Sequence, residues 1–404
     1  MSQLPNFNDL DPRRDDYATL VVQRILQAAV ASEASDIHLE TTARDVVLKW
    51  RVDGNLLLVA QFADGASTSI LGRLKALARL ITYRHDIPQE GRLAIAGKDD
   101  VEARVGILPT LHGERAVIRL AAKRTADWQL AQLGLPPDLL ERLSASLRAH
   151  SGVVLITGTA GSGKTTTAYA ALREILGTTS LLRSVVSLED PIETEVAGVA
   201  QSQINPAVGY DWSAGLKALL RQDPEVMLIG EIRDAETAAV VFQAAMTGQL
   251  VLATMHARHS ADALRRLMDM QVPAHHLRSA LNLLLCQRLL RGVCPRCLGR
   301  GPTAEPTAAS HRAAADHSPA TGNSPPPCSD CMGSGLAGRV LLAELFPTLD
   351  GELSRAVLHD ADSGTIARAA QSLGMRSLAT LADQAVREQR VHAAEIQRHF
   401  IRDP

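Results

Sequence analysis

Aromatic side chains are scarce in this 404-residue chain, at 3% of it, so the core has to be built from aliphatic residues. No apolar run reaches the ~18 residues that a membrane-crossing helix needs, which excludes a helical span. The polar start, MSQLPNFNDLDPRRDD, also lacks the apolar centre of a signal peptide. Together these absences predict a cytoplasmic chain whose membrane contacts come only through partners. Basic charge is not in surplus either: the formal net charge is -2, which counts against a dedicated nucleic-acid binder. Cysteine is sparse, yet four of the five fall in two CxxC pairs, a pattern that in a reducing compartment suggests metal before disulfide.

What remains is the balance of a globular protein, 46% hydrophobic and 21% charged, too long for one compact core. A polar tail (1–16) precedes a small α+β domain (17–122). In that domain Val21, Val22, Ile25, Leu26, Ala29 and Val30 recur at helical spacing, and 45–60 reads as two strands turning at Asp53-Gly54. Further alternating segments lie at 101–107 and 115–120. A linker of helical character spans 123–149. From 150 to 285, apolar runs at 153–156, 185–188, 226–229 and 250–253 are separated by helical lengths, predicting an α/β core with a mostly parallel sheet. Residues 286–346 carry the CxxC pairs around a stretch (298–327) rich in Ala, Pro, Ser and Gly, expected to be disordered. Helical periodicity returns over 347–404.

Directly after the first apolar run, Gly158, Thr159, Ala160, Gly161, Ser162, Gly163, Lys164 and Thr165 spell the phosphate-binding pattern G-x-x-x-x-G-K-[ST], and a helix-compatible stretch follows. The glycines let successive backbone N–H groups turn toward phosphate, where the helix N-terminus favours negative charge. Lys164 is expected on the β- and γ-phosphates of ATP and Thr165 on Mg²⁺. The plain alternative, a glycine turn that binds nothing, is disfavoured by correct flanks on both sides.

Ligands of open parallel sheets lie beyond the carboxyl ends of the strands. The run at 185–188 leads into Glu189, Asp190 and Glu193. The run at 226–229 leads through Gly230 into Glu231, Arg233 and Asp234, and the run at 250–253 leads through Thr254 to His256. Any one acidic residue after a strand is ordinarily a turn or a helix cap; three such ends in one chain suggest a shared site. Hydrolysis requires a group that orients water and carboxylates that hold a hydrated metal. Glu231 is assigned the first role, with Glu189 as its partner. His256 is read either as a γ-phosphate sensor or as a strand cap.

These residues also match a family. RQDPEVMLIGEIRDAET (221–237), SLEDPIE (187–193) and TGQLVLATMHA (247–257) resemble signature boxes of the type II secretion and type IV pilus ATPases. SDIHLE (35–40), RVDG (51–54), PQEGR (88–92) and LPTLHGERAVIRL (108–120) are similar to the second N-terminal domain of that family. The resemblance implies a homo-hexameric ring of RecA-like domains in which hydrolysis turns each core against its N-terminal domain, pushing pilin-like subunits from the inner membrane. It implies inner-membrane platform proteins as partners, and arginines at Arg104 and Arg119 that reach the triphosphate. The bland alternative for both arginines is surface ion pairing. The chain departs from the pattern at Thr159-Ala160, at Gln249 in place of a first histidine, and at Glu225 in place of an aspartate. The resemblance implies that longer members carry another N-terminal domain that docks on a membrane partner, a domain this sequence is expected to lack.

Cys294, Cys297, Cys328 and Cys331 offer four thiolates in paired loops, which suits a structural Zn²⁺ with a closed shell. The insert between the pairs holds His311 and His317, read as solvated, and Cys286 is read as an ordinary core thiol. The resemblance links this tetracysteine module to assembly rather than retraction motors. The sequence thus supports an ATP-driven motor of pseudopilus or pilus assembly, peripheral to the inner membrane. A related DNA-uptake or transfer motor and a non-hydrolysing nucleotide scaffold are the alternatives.

Overall fold

The computed structural model describes residues 5–63, 66–95, 101–120, 128–178, 183–299, 328, 330, 331 and 333–400. Most of the low-complexity insert, with His311 and His317, lies outside the described residues. The chain falls into two compact units, residues 1–124 with 291–339 and residues 125–290 with 340–404.

In the first unit, helix α1 (Tyr17–Ala31) buries Val21, Val22, Ile25, Leu26 and Ala29, the stripe expected from its spacing. Strands β1 (Asp36–Thr41), β2 (Asp45–Val52) and β3 (Asn55–Ala63) are followed by helix α2 (Ala66–Leu77) and by β4 (Gln89–Ile95), β5 (Val101–Thr110) and β6 (Gly113–Leu120). They form a six-stranded sheet in the order β3-β2-β1-β6-β5-β4. Asp53 and Gly54 both take positive φ (49° and 81°), the backbone a two-residue hairpin between twisted strands requires. The tetracysteine segment groups with this unit. Gly338 N–H donates to Asp53 Oδ2 (2.8 Å), and Arg291 Nη1 donates to Asn55 Oδ1 (2.6 Å), so the segment rests on the β2–β3 turn. That association links residues hundreds of positions apart and is not visible as a sequence pattern.

The second unit opens with α3 (Pro137–Leu147), inside the stretch read as a linker. Then come β7 (Gly152–Gly158), α4 (Lys164–Thr178), β8 (Val185–Glu189), β9 (Ala200–Gln203), α5 (Trp212–Leu219), β10 (Val226–Ile229), α6 (Ala235–Met246), β11 (Leu250–Met255), α7 (Ser260–Asp269) and α8 (Ala274–Ala280). Strand β12 (Leu281–Val293) leaves this unit after Leu290, and β13 (Leu336–Leu345) re-enters it at Val340. Four helices close the chain: α9 (Gly351–Leu358), α10 (Ser363–Ser372), α11 (Leu378–Arg387) and α12 (Ala393–Phe400).

The seven-stranded sheet runs β13-β12-β7-β11-β10-β8-β9. The four apolar runs read from the sequence are β7, β11, β10 and β8, adjacent and parallel at its centre. Buried on both faces, they have no polar alternation. Along β7, Val153 and Leu155 enter one apolar layer while Val154 and Ile156 enter the other. Parallel register puts all four carboxyl ends on one edge, and that edge carries the site.

Candidate functional site

At the end of β7 the chain turns through Gly158 with φ 150°, where an added Cβ would lie 2.3 Å from Ser162 Oγ and 2.4 Å from Gln287 O. Only glycine fits there. Gly161 and Gly163 follow with φ 72° and 87°, and α4 starts at Lys164, so the helix N-terminus closes the loop. The Ser162 hydroxyl, buried inside the turn, has no hydrogen-bond partner among the described residues. Lys164 Nζ donates back to the carbonyls of Gly158 (3.1 Å) and Thr159 (3.0 Å), placing an ammonium group over the loop. Burial lowers the Lys164 pKa, and the Glu231 charge opposes that shift. A loop of this shape, with a cation and a helix start, fits a triphosphate.

Ala160, Gly161, Lys164 and Thr165 line a cleft of about 260 Å³ whose other walls include Glu189, Glu193, Glu231, Arg233 and His256. The three strand ends and the glycine loop therefore meet. His256 stands between the loop and β10, its Nδ1 3.4 Å from Lys164 Nζ and its Nε2 3.4 Å from Glu231 Oε1. The carbonyl of His256 accepts a hydrogen bond from Arg266. Arg233 holds the other oxygen of Glu231 (Nε to Oε2, 2.7 Å) and also faces Asp190 Oδ2 at 3.6 Å. Its pKa is raised mainly by that bond to Glu231. Arg233 sits in the sequence box but carries no sequence-derived role; its spacing, two residues past Glu231, was the available signal. Asp234 is a helix cap, accepting from Thr237 N–H at 2.8 Å. Gly230, which follows β10, packs closely on the neighbouring strand. A Cβ there would lie 3.2 Å from Glu189 Cα and from Leu188 O, the backbone of β8.

Glu189 lines the cleft but is nearly fully buried, and both its oxygens are taken by protein donors. Tyr169 Oη donates to Oε2, while Ser187 Oγ (2.6 Å) and Gln201 Nε2 (3.0 Å) donate to Oε1. The neighbouring Glu193, given no role from the sequence, lines the same cleft and is exposed to solvent. Partial desolvation raises its pKa, as does the charge of Glu189, and Lys164 pulls the other way. Gln249 lies before β11, at the end away from the cleft, where it accepts from Thr247 Oγ1 (2.8 Å). The histidine missing there is missing from the far side of the sheet. Cys286, buried in β12, has its thiol pushed up to about 12 by burial, which leaves it unreactive.

Arg104 and Arg119 belong to the first unit, directly opposite each other on β5 and β6. Both are exposed, and Arg119 Nε pairs with Asp36 Oδ1 at 3.1 Å. Adjacent like charges in a ladder are unfavourable unless an anion lies between or beside them.

The four cysteine sulfurs lie within 4.8 Å of one another. The Cys294–Cys328 and Cys297–Cys331 separations are 3.9 and 3.7 Å. Bonds of ~2.3 Å in a regular tetrahedron give sulfur separations of ~3.8 Å, so the set fits Zn²⁺. Gly335 N–H donates to Cys331 Sγ (3.2 Å), supporting thiolate charge from outside the shell. Cys294→Ser or Cys328→Ser is expected to remove about one zinc per chain, read by elemental analysis of purified protein. A wild type free of zinc would contradict the assignment.

The family model for the "Type II/IV secretion system protein" matches residues 13–398. The chain is 38% identical over 347 residues to "Type II secretion system protein E" of Klebsiella pneumoniae, covering 85% of this chain and 68% of that one. It is 38% identical over 297 residues to "Type II secretion system ATPase E" of Vibrio cholerae, covering 73% and 58%. The fold matches the Legionella pneumophila ATPase DotB with a TM-score of 0.67 at 21% identity, covering 98% and 97%. Among the described residues no helix is long and apolar enough to cross a membrane.

Proposed function

The chain belongs to the type II/IV secretion system protein family and is an ATPase of the secretion and pilus motor class using ATP and Mg²⁺, and from that premise we propose how it works. It acts as a homo-hexamer at the cytoplasmic face of the inner membrane, recruited by platform proteins, and drives assembly of a pseudopilus or pilus. The observation that carries this reading is the meeting of Lys164, Glu231 and His256 around one cleft beside the glycine loop.

The loop from Gly158 to Thr165 cradles the phosphates with its backbone N–H groups, and Lys164 balances their charge. Thr165 and the carboxylates would hold a hydrated magnesium ion, which when bound would supply positive charge toward the transferred phosphoryl group. Glu231 and Glu193 are the carboxylates that orient the attacking water. Arg233, in the wall of the cleft, fixes the Glu231 rotamer. His256, in contact with both Lys164 and Glu231, reports on the γ-phosphate to the loop that leads into α7. Arg104 and Arg119 supply cationic charge to the triphosphate once the ring has formed.

Hydrolysis is therefore expected to rise with the hexamer fraction as protein concentration increases, measured by phosphate release beside sedimentation. Full turnover by a monomer would contradict the ring. Arg119→Ala is expected to lower turnover in the assembled ring by ~10³-fold or more while leaving ATP binding to the isolated subunit intact. Unchanged turnover would make Arg119 only the partner of Asp36.

A further inference from the structure

Glu193 sits on a loop, residues 190–199, that is neither strand nor helix, so something other than a backbone ladder must fix it. Side chains do so. The N–H of Glu193 donates to Tyr169 Oη at 3.2 Å, and the N–H of Ile192 to Gln203 Oε1 at 3.1 Å. Gln201 grips the far side, accepting from Val196 N–H (2.7 Å) and donating to the Thr194 carbonyl (3.1 Å). Two of these three braces, Tyr169 and Gln201, lean on the same buried carboxylate, Glu189. Tyr169 projects from α4, one and a half turns after Lys164, so the brace joins the phosphate-binding helix to the Glu193 loop.

We propose that Tyr169 is a positioning residue for hydrolysis: anchored on Glu189, it holds the backbone of Glu193 so that this carboxylate faces the cleft. Glu189, expected from the sequence to act on water, is on this account the anchor of the brace, and the water-facing role passes to Glu193. A carboxylate with both oxygens committed to three donors has little capacity left for a water or a metal shell. Glu193 lines the cleft with no such partners among the hydrogen bonds that fix its loop. The arrangement also explains a fully buried tyrosine–glutamate pair in the core: an unpaired carboxylate there would be costly, and Tyr169, Ser187 and Gln201 satisfy it.

The proposal rests on the reading that this cleft hydrolyses Mg–ATP with Glu193 facing the water. Its test is a double-mutant cycle on the full-length protein, with kcat and KM for ATP measured beside thermal melting. Tyr169→Phe keeps the ring and removes the hydroxyl. It is expected to lower kcat ~10–100-fold, the scale of a misplaced catalytic group, with KM within about twofold of wild type. Glu193→Gln is slower still, with its residual rate read in single turnover. The double variant is expected to be no slower than Glu193→Gln, because Tyr169 acts only through that residue.

Wild-type kcat in Tyr169→Phe would overturn the proposal. So would a double variant slowed by the full Tyr169→Phe factor below Glu193→Gln, which would make the tyrosine a general support of the fold. A wild-type rate in Glu193→Gln would remove the residue that Tyr169 positions. Absence of Mg–ATP hydrolysis by the wild type would instead strike the functional reading itself. If Tyr169→Phe does not fold, Gln201→Ala loosens the same loop from its other side and is expected to lower kcat with KM unchanged.

Discussion

Lys164→Ala is expected to abolish ATP binding by this chain and to lower hydrolysis by at least ~10³-fold, the scale on which removal of a preorganised cationic or hydrogen-bonding group affects catalysis. Among the described residues the lysine is the one ammonium lining the cleft, held over the glycine loop by the Gly158 and Thr159 carbonyls. Without it a triphosphate would bring several negative charges beside Glu231 and Glu193 with no fixed cation on the loop side. Partial burial magnifies that penalty, since charges near a protein surface interact about four times more strongly than in bulk water. The fold is expected to survive the substitution, because among the described residues Lys164 bonds only to the loop carbonyls and His256, each bond worth ~1 kcal/mol net. Titration with a fluorescent ATP analogue, beside thermal melting, separates lost binding from lost folding. Normal hydrolysis in this variant would refute the site.

Glu231→Gln is expected to produce the opposite split: ATP stays bound and turnover falls ~10²–10⁴-fold, the usual contribution of a positioned acid–base group. The amide keeps the size of the side chain and can still accept from Arg233, which holds Oε2 at 2.7 Å in the native site. It can no longer act as an anion toward the water or toward His256. Gel-filtered protein retaining unhydrolysed ATP is the expected readout. If the variant turned over normally, Glu193 would be the carboxylate on which hydrolysis depends, since it shares the cleft and Glu189 is committed to its own donors.

Much of this was legible in the sequence because the informative features are local. The strands β7, β8, β10 and β11 are short, buried on both faces and bounded by polar or glycine residues, so each showed as an apolar run ending in chemistry. The glycine loop was readable for the same reason, since strand, turn and helix follow in one stretch of chain. The hairpin turn at Asp53-Gly54 was carried by its two residues alone.

Features that depend on distant residues were not legible. Strand β1, DIHLET, alternates polar and apolar residues, yet Asp36 and His38 are buried along with Ile37 and Leu39, which the alternation does not predict. Strand β12 declares itself only by pairing with β7, more than a hundred residues earlier. Glu189 and Glu193 look equivalent in the string EDPIE. What distinguishes them is Tyr169, twenty residues before Glu189, and Gln201, twelve after it, which take both Glu189 oxygens. The cysteine spacing indicated four ligands, whereas their seat on the β2–β3 turn emerges only in three dimensions.

The most direct test of the account is a crystal structure of the full chain with Mg²⁺ and a non-hydrolysable ATP analogue. The account predicts phosphate density in the turn formed by residues 158–165, with the terminal phosphate facing Glu231 and His256. Nucleotide bound elsewhere, or a triphosphate in that turn with Glu231 and Glu193 directed away from it, would contradict it.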